Sequence, residues 1–170
     1  LLTELLDWSR KVNAVSEPEQ KVFNAGREIA ILMAALLRKA RWKKIELKNE
    51  APGEIPVMGD VNMFNAIFRN LLANAMKSCH EGGEITVTAE KGEDHWAFCI
   101  ADSGVGMTSR QVQILFSGVS PAPGDQVPEN YGNGFGLILC RDFVNLSGGH
   151  LWAESQEGNG TRVHFTFRSA

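Results

Sequence analysis

Cysteine is scarce in this chain of 170 residues: Cys79, Cys99 and Cys140 are odd in number and far apart, and no C-x-x-C pair occurs. Neither a disulfide framework nor a zinc site is suggested, and three reduced thiols are expected. Long apolar runs are missing too. The longest, residues 29–37, is flanked by Arg27, Glu28, Arg38 and Lys39, whereas a bilayer-spanning helix needs about 20 apolar residues. No signal-peptide pattern opens the chain, and Leu1-Leu2-Thr3-Glu4 reads as the inside of a helix. Charge of one sign is not in excess: the net charge is −3 and the pI about 5.8, which gives no electrostatic reason to expect nucleic acid or an anionic membrane as partner. No G-x-x-x-x-G-K-[ST] phosphate loop, internal repeat or low-complexity tract is present. What remains, 44% apolar and 22% charged residues, suits one folded domain with one sizeable core.

Periodicity supplies the elements. Residues 1–15 read as a helix, with Leu1, Leu5, Trp8 and Val12 forming a short a/d seam and Leu2 and Leu6 a second apolar row, up to a break at Pro18. A second helix is expected over residues 19–41, with Ile29, Leu32, Met33, Leu36, Leu37 and Ala40 on its buried face. Short strands follow near 45–50 and 56–58, around a Pro52-Gly53 turn. A third helix is expected from an Asp60 N-cap to about Cys79, its end marked by Gly82-Gly83. Strands at 84–90 and 95–101, a short helix at 109–116, a helix from Gly136 to about Ser147 and strands at 150–155 and 161–168 complete the pattern. Between the last two helices, residues 117–135 hold three of the six prolines and no Lys or Arg, the composition of a lid or loop. Mixed helices and sequential strand pairs predict an α+β fold: a two-layer sandwich whose mixed, mostly antiparallel sheet is covered on one face by helices.

Four local features carry chemistry. On the third helix, Asn70, Asn74 and Lys77 recur at i, i+4 and i+7, a stripe separate from the core face of Val61, Phe64, Ile67, Phe68, Leu71, Leu72 and Ala75. Two amide oxygens and an ammonium suit a phosphate-bound Mg²⁺, which takes hard oxygen ligands and few of them from protein. A solvated polar stripe explains the same residues equally well when they are taken alone. Asp102-Ser103-Gly104-Val105-Gly106-Met107 closes a strand, where a carboxylate can accept a hydrogen bond from an exocyclic amine. Gly132-Asn133-Gly134-Phe135-Gly136-Leu137 opens a helix, where backbone amides make an anion site. Gly158-Asn159-Gly160-Thr161 reads locally as a hairpin turn.

In that order and spacing, the asparagine helix, D-x-G-x-G, G-x-G-x-G-L and G-x-G-T closely resemble the boxes of the Bergerat-type ATP-binding fold. That fold is shared by sensor histidine kinases, gyrase, a mismatch-repair ATPase and a large chaperone, and the likeness spans roughly residues 20–168. It implies ATP and Mg²⁺ as cofactors. Asn74 would be the Mg²⁺ ligand, Lys77 a phosphate contact, and Asn70 would sit beside metal and triphosphate. Asp102 would fix the adenine, with Gly104, Gly106 and Met107 shaping its pocket. Gly132, Gly134, Gly136 and Leu137 would form the phosphate cradle, and Thr161 would brace Asp102.

Hydrolysing members carry Glu four residues before the metal asparagine. Here the residue is Asn70, which cannot activate water, so the resemblance points to a kinase. Leu5-Leu6-Asp7-Trp8-Ser9 is similar to the end of the dimerisation helix that precedes this domain in histidine kinases. This implies a helical-domain remnant at 1–16 and a catalytic domain at 17–170. The implied partners are a phosphoacceptor helical domain of the same protein, a response regulator or fused receiver domain, and a second copy in a homodimer. No nucleic-acid or membrane contact by this segment is implied, and the implied place is the cytosolic side of a membrane-anchored sensor. No acceptor motif surrounds His80, His95, His150 or His164. Two departures stand out: Ser78 replaces the usual aromatic residue, and residues 111–140 lack the usual lid cation, leaving Arg110 and Arg141 as nearby candidates. They keep a nucleotide-gated scaffold open as an alternative; an anti-sigma-type serine kinase is disfavoured by the seam at 1–12.

Overall fold

The computed structural model describes residues 19–117, 122–125 and 135–170. The expected helix at 1–15, the break at Pro18, Gly132, Gly134 and most of the 117–135 stretch lie outside these residues.

The chain does not open with a helix at residue 19. Instead, β1 (Lys21–Asn24) pairs antiparallel with β3 (Pro56–Gly59), and α1 (Ala25–Trp42) starts only after Asn24. Asn24 decides this boundary. Its Oδ1 accepts from the amides of Gly26 at 3.0 Å, Arg27 at 3.4 Å and Ile55 at 3.0 Å, and its Nδ2 donates to the Gly53 carbonyl at 2.9 Å. One asparagine thus caps the helix and ties it to the loop before β3. Val22-Phe23, β-branched and aromatic, suits the strand. On α1, Ile29, Leu32, Met33 and Ala40 are buried, but Leu37 is 44% exposed. It sits about 100° round from Leu36 and so turns away from the core face.

Helix α2 (Val61–Ser78) starts where expected. Asp60 Oδ1 accepts from the amides of Asn62 at 2.8 Å and Met63 at 3.2 Å. Its buried face holds Met63, Phe64, Ile67, Phe68, Leu71, Leu72, Ala75 and Met76, while Val61 is only half-buried. The helix ends at Ser78, as expected to within one residue, because Cys79 is already extended (φ −72°, ψ 133°). Lys43 reaches across to donate its ammonium to the Met76 carbonyl at 2.8 Å, a cation at a helix C-terminus.

The remaining elements are β2 (Glu46–Asn49), β4 (Glu84–Lys91), β5 (His95–Asp102), α3 (Ser109–Phe116), α4 (Phe135–Leu146), β6 (Leu151–Ser155) and β7 (Thr161–Arg168). Five strands form one sheet in the order β2-β4-β5-β7-β6, antiparallel except for the parallel β2–β4 pair. The helices pack on one face, so the predicted two-layer α+β sandwich is what forms. Along β5, Trp96, Phe98, Ile100 and Asp102 are buried while the residues between them are half-exposed, the period-two signature of a sheet covered on one side. Phe64 is the hub between layers: its ring lies 5.5 Å from Phe23, 5.2 Å from Phe98, 5.8 Å from Phe165 and 5.3 Å from Phe167.

Asn24→Ala orphans three amides and a carbonyl at the β1–α1 junction and is expected to cost about 2–3 kcal/mol, measured by urea unfolding. A loss below about 0.5 kcal/mol would mean that solvent satisfies these groups instead.

Candidate functional site

The amide stripe of α2 runs one residue ahead of its core stripe. Asn70, Asn74 and Lys77 precede Leu71, Ala75 and Ser78, so they lie about 100° round, at the border of core and solvent. Asn70 and Asn74 are accordingly half-buried, and Lys77 is exposed. Asn70 Nδ2 donates to the Ala66 carbonyl at 3.1 Å, which leaves Oδ1 facing the first turn of α4. A Cβ at Gly136 would stand 3.1 Å from that oxygen. The start of α4 therefore lies directly against Asn70, and Leu137 beside it is buried. No described residue hydrogen-bonds to the side chains of Asn74 or Lys77.

The far end of the same helix carries the second feature. The Ser78 carbonyl accepts from the Val105 amide at 3.3 Å, and a Cβ on Gly104 would fall 2.3 Å from that carbonyl oxygen. Only glycine lets the loop after β5 rest on the helix end. From the other side the β6–β7 turn closes on the loop. Gly106 (φ +66°) and Gly160 (φ +81°) occupy left-handed backbone. A Cβ on the first would lie 1.9 Å from the Gln156 carbonyl oxygen, and one on the second 1.9 Å from that of Asp102. Neither position accepts a side chain. The Gly158 amide donates to the Val105 carbonyl at 2.8 Å and completes the clamp.

Asp102 sits in that clamp, 8% exposed. Its Oδ1 accepts from the Gly104 amide at 2.9 Å, and the amide of Thr161, its cross-strand partner, also serves the carboxyl. Burial nonetheless pushes the group up to about 6, because two N–H donors do not replace bulk water. Met107 is buried, and its amide donates to Ser155 Oγ at 2.8 Å. Sequence reasoning did not single out Ser155; its only signal was its place immediately ahead of the G-x-G-T turn.

The described residues thus bring Asn70 to Gly136, and Asp102 to Gly104, Gly106 and Thr161. Asn74 and Lys77 join the two groups through α2 itself. A concavity of about 670 Å³ on the uncovered sheet face reaches Asp102, Ser103, Gly160 and Thr161, but its other lining comes from Glu50, from β4, β5, β6 and β7 and from the β6–β7 turn, and it contains none of the amide stripe. Arg110 is engaged elsewhere, in a bidentate pair with Asp125 at 2.7 and 3.2 Å. Ser78 is buried, and Arg141 is half-buried on α4. None of the four histidines is on a helix: His95 and His164 lie on β5 and β7, His80 follows α2, and His150 lies just ahead of β6 rather than within it. Among the described residues no group of three or more His, Cys, Asp or Glu could hold a metal.

Residues 59–170 match the model of the histidine kinase-, DNA gyrase B- and HSP90-like ATPases. The chain belongs to this family. Among curated proteins it is similar to the adaptive-response sensory kinase SasA of Crocosphaera subtropica, 31% identical over 98% of this chain and 44% of that protein. It is also similar to the histidine protein kinase DivJ of Caulobacter vibrioides, 32% identical over 96% of this chain and 27% of that protein. The chain therefore spans less than half the length of these relatives. In structure it resembles the nucleotide-free catalytic domain of the histidine kinase ThkA, with TM-score 0.74 and 23% identity over 89% of this chain and 96% of that one. It also resembles ThkA in complex with the response regulator TrrA, with TM-score 0.77 and 22% identity over 99% of this chain and 48% of that one. These structures share the fold. The chain is an ATP-binding catalytic domain of the histidine-kinase kind, and no described helix is long and apolar enough to cross a membrane.

The raised pKa of Asp102 makes a stability prediction. The folded chain holds this proton to higher pH than the unfolded chain does. Its contribution is therefore full below the ordinary carboxylate range and is lost as pH rises through about 6. Asp102→Asn removes the buried charge. It is expected to stabilise the nucleotide-free chain by roughly 1–3 kcal/mol near neutral pH and by much less near pH 4 in urea titrations. An equal gain at both pH values would refute the assigned cause.

Proposed function

We propose that this domain binds Mg-ATP between α2, the loop after β5 and the start of α4, and passes the γ-phosphoryl group to a histidine on an adjoining helical domain. The observation that carries the proposal is that α2 touches both halves of the site. Asn70 meets Gly136 at one flank of the helix, and the Ser78 carbonyl seats the Asp102 loop at its end.

The residues present fit the two ligands. Asp102 is a buried carboxyl already oriented by two backbone donors, suited to accept from an exocyclic amine of a base. Asn74 offers an amide oxygen at the solvent border with no described partner, and Lys77 a neighbouring ammonium. One hard oxygen from the protein suits Mg²⁺, which keeps waters and phosphates for its other positions. Bound there, Mg²⁺ would supply charge neutralisation on the phosphate oxygens. With no group of three carboxylate, His or Cys ligands among the described residues, the ion would enter with the nucleotide.

Asn70 argues for transfer over hydrolysis. Its amide does not take a proton at neutral pH, and its Nδ2 is committed to the Ala66 carbonyl. It can orient phosphate, but it cannot activate water. In the transfer the bond from the γ-phosphorus to the bridging oxygen breaks, ADP leaves, and the phosphorus bonds to an imidazole nitrogen. The acceptor must come from outside this chain's four histidines, none of which is presented on a helix. We assign residues 1–16 to the end of the helical domain that bears the acceptor and residues 17–170 to the catalytic domain. A homodimer of the intact protein, a response regulator or fused receiver as the next acceptor, and membrane anchoring of the whole belong to the same reading. Gly132 and Gly134 complete the phosphate cradle in it.

Calorimetry with ATP, with and without Mg²⁺, tests the site. Asn74→Ala is expected to lose about tenfold in affinity with Mg²⁺ and to match wild type in EDTA. Equal affinity of both proteins with Mg²⁺ present would place the metal elsewhere. Incubated with γ-labelled ATP, the chain is expected to bind nucleotide yet gain no acid-labile, alkali-stable phosphate. Labelling of His80, His95, His150 or His164 would overturn the assignment of the acceptor to another domain.

A further inference from the structure

Ser155 ends β6 and faces Thr161, the first residue of β7, across the turn. Its hydroxyl meets three groups: it accepts from the Met107 amide at 2.8 Å, lies 2.9 Å from the Gly160 carbonyl oxygen, and lies 2.8 Å from Thr161 Oγ1. A hydroxyl has one proton to give and two lone pairs. The Gly160 carbonyl can only accept, so the Ser155 proton goes there. Thr161 Oγ1 then donates to Ser155 Oγ, and the Met107 amide takes the second lone pair. The hydroxyl is fully used, with every partner's role fixed.

Those partners flank Asp102 on both sides. Met107 ends the loop that Asp102 begins. Gly160 lies against the Asp102 carbonyl so closely that a Cβ there would approach to 1.9 Å, and Thr161 supplies the second amide to the Asp102 carboxyl. Among the described side chains, only that of Ser155 hydrogen-bonds to both the loop and the turn that grip this aspartate. β6 is an edge strand joined to the sheet through β7 alone, so the turn is tied to the Asp102 loop by one backbone bond, from the Gly158 amide to the Val105 carbonyl, and by the Ser155 hydroxyl.

We propose that Ser155 is a positioning residue for base recognition, setting the spacing between the Asp102 loop and the β6–β7 turn so that the carboxylate meets an exocyclic amine. The proposal rests on the Mg-ATP reading above. Ser155 touches no reacting atom. It acts through the Met107 amide and the Thr161 hydroxyl.

The test compares ATP with its 6-deamino analogue, purine riboside triphosphate, which lacks the amine that Asp102 would accept from. Wild type is expected to prefer ATP by about tenfold, the usual cost of leaving a hydrogen bond to a buried charge unmade. Ser155→Ala is expected to cut that preference to about threefold or less by weakening ATP binding while the analogue's affinity stays within about twofold. Purely structural damage would weaken both nucleotides together, and that outcome overturns the proposal, as does an unchanged preference. Thr161→Val deletes the second hydroxyl of the pair at nearly constant shape and is expected to narrow the preference in the same way. It keeps the test alive should the alanine variant fail to fold, and an unchanged preference in it overturns the proposal. Wild type that binds neither nucleotide would instead refute the Mg-ATP reading, and wild type that binds both equally would refute the role given to Asp102.

Discussion

A carboxyl group sealed at the end of a core strand has lost most of its water, and the local architecture answers that loss. The Asp102 carboxyl accepts from the Gly104 amide and has the Thr161 backbone beside it as its cross-strand partner, and the loop after β5 and the turn before β7 close on it to near van der Waals contact. Side chains at Gly104, Gly106 or Gly160 would each drive into a backbone oxygen. Three glycines from two sequence-distant motifs therefore answer to one electrostatic demand. Even so, the carboxyl remains harder to ionise than an exposed one, so the folded state carries a cost here that folding alone does not explain. In the proposed reading, an exocyclic amine meeting this carboxylate would offset that cost.

The aromatic core determines where the rest of the site lies. Phe64 meets rings from β1, β5 and β7 at once, which fixes the rotation of α2 about its own axis. With the Phe64–Phe68–Leu71–Ala75 stripe turned to the sheet, helical geometry leaves Asn70, Asn74 and Lys77 at the margin, wet enough to meet a charged ligand and ordered enough to hold a geometry. Rotating α2 by one residue's angle would bury the amides or expose the phenylalanines. The polar stripe is thus positioned by the apolar one.

Much of this could be read from the sequence because its signals are local. Asp60 capped α2, Thr108 and Gln111 exchange the bonds of a capping box at the start of α3, and the alternation along 95–102 appears as β5. Errors arose where a distant partner decided. Residues 19–24 look helical until β3 is available to pair with Val22 and Phe23, and Asn24 is recognisable as a cap only once Ile55 and Gly53 stand beside it. The parallel β2–β4 pair carries no local mark at all. The close approach of Gly104, Gly106 and Gly160 around Asp102 was legible in the motif spacing, whereas the place of Ser155 was not, because a serine ending a strand is ordinary until its three partners are placed.

The same contrast bears on the cation-poor stretch after α3. Composition left Arg110 and Arg141 as substitutes for a lid cation, and the structure gives Arg110 a bidentate carboxylate partner in Asp125, whose Oδ2 also accepts the Ala122 amide at 2.7 Å. The turn at 122–125 is also closed by its own bonds between Ala122 and Asp125, and Arg110 is paired to it and is not a spare charge. In the proposed Mg-ATP reading, the positive groups left for phosphate would be Lys77, Arg141 and the backbone amides at the start of α4, with any divalent ion added to them. Amides are dipoles of fixed direction, and they favour a phosphate oxygen only at a defined place. A site built this way gains little from long-range attraction and depends on the fit between α2, α4 and the Asp102 loop, which is why the packing of one helix carries so much of the chemistry.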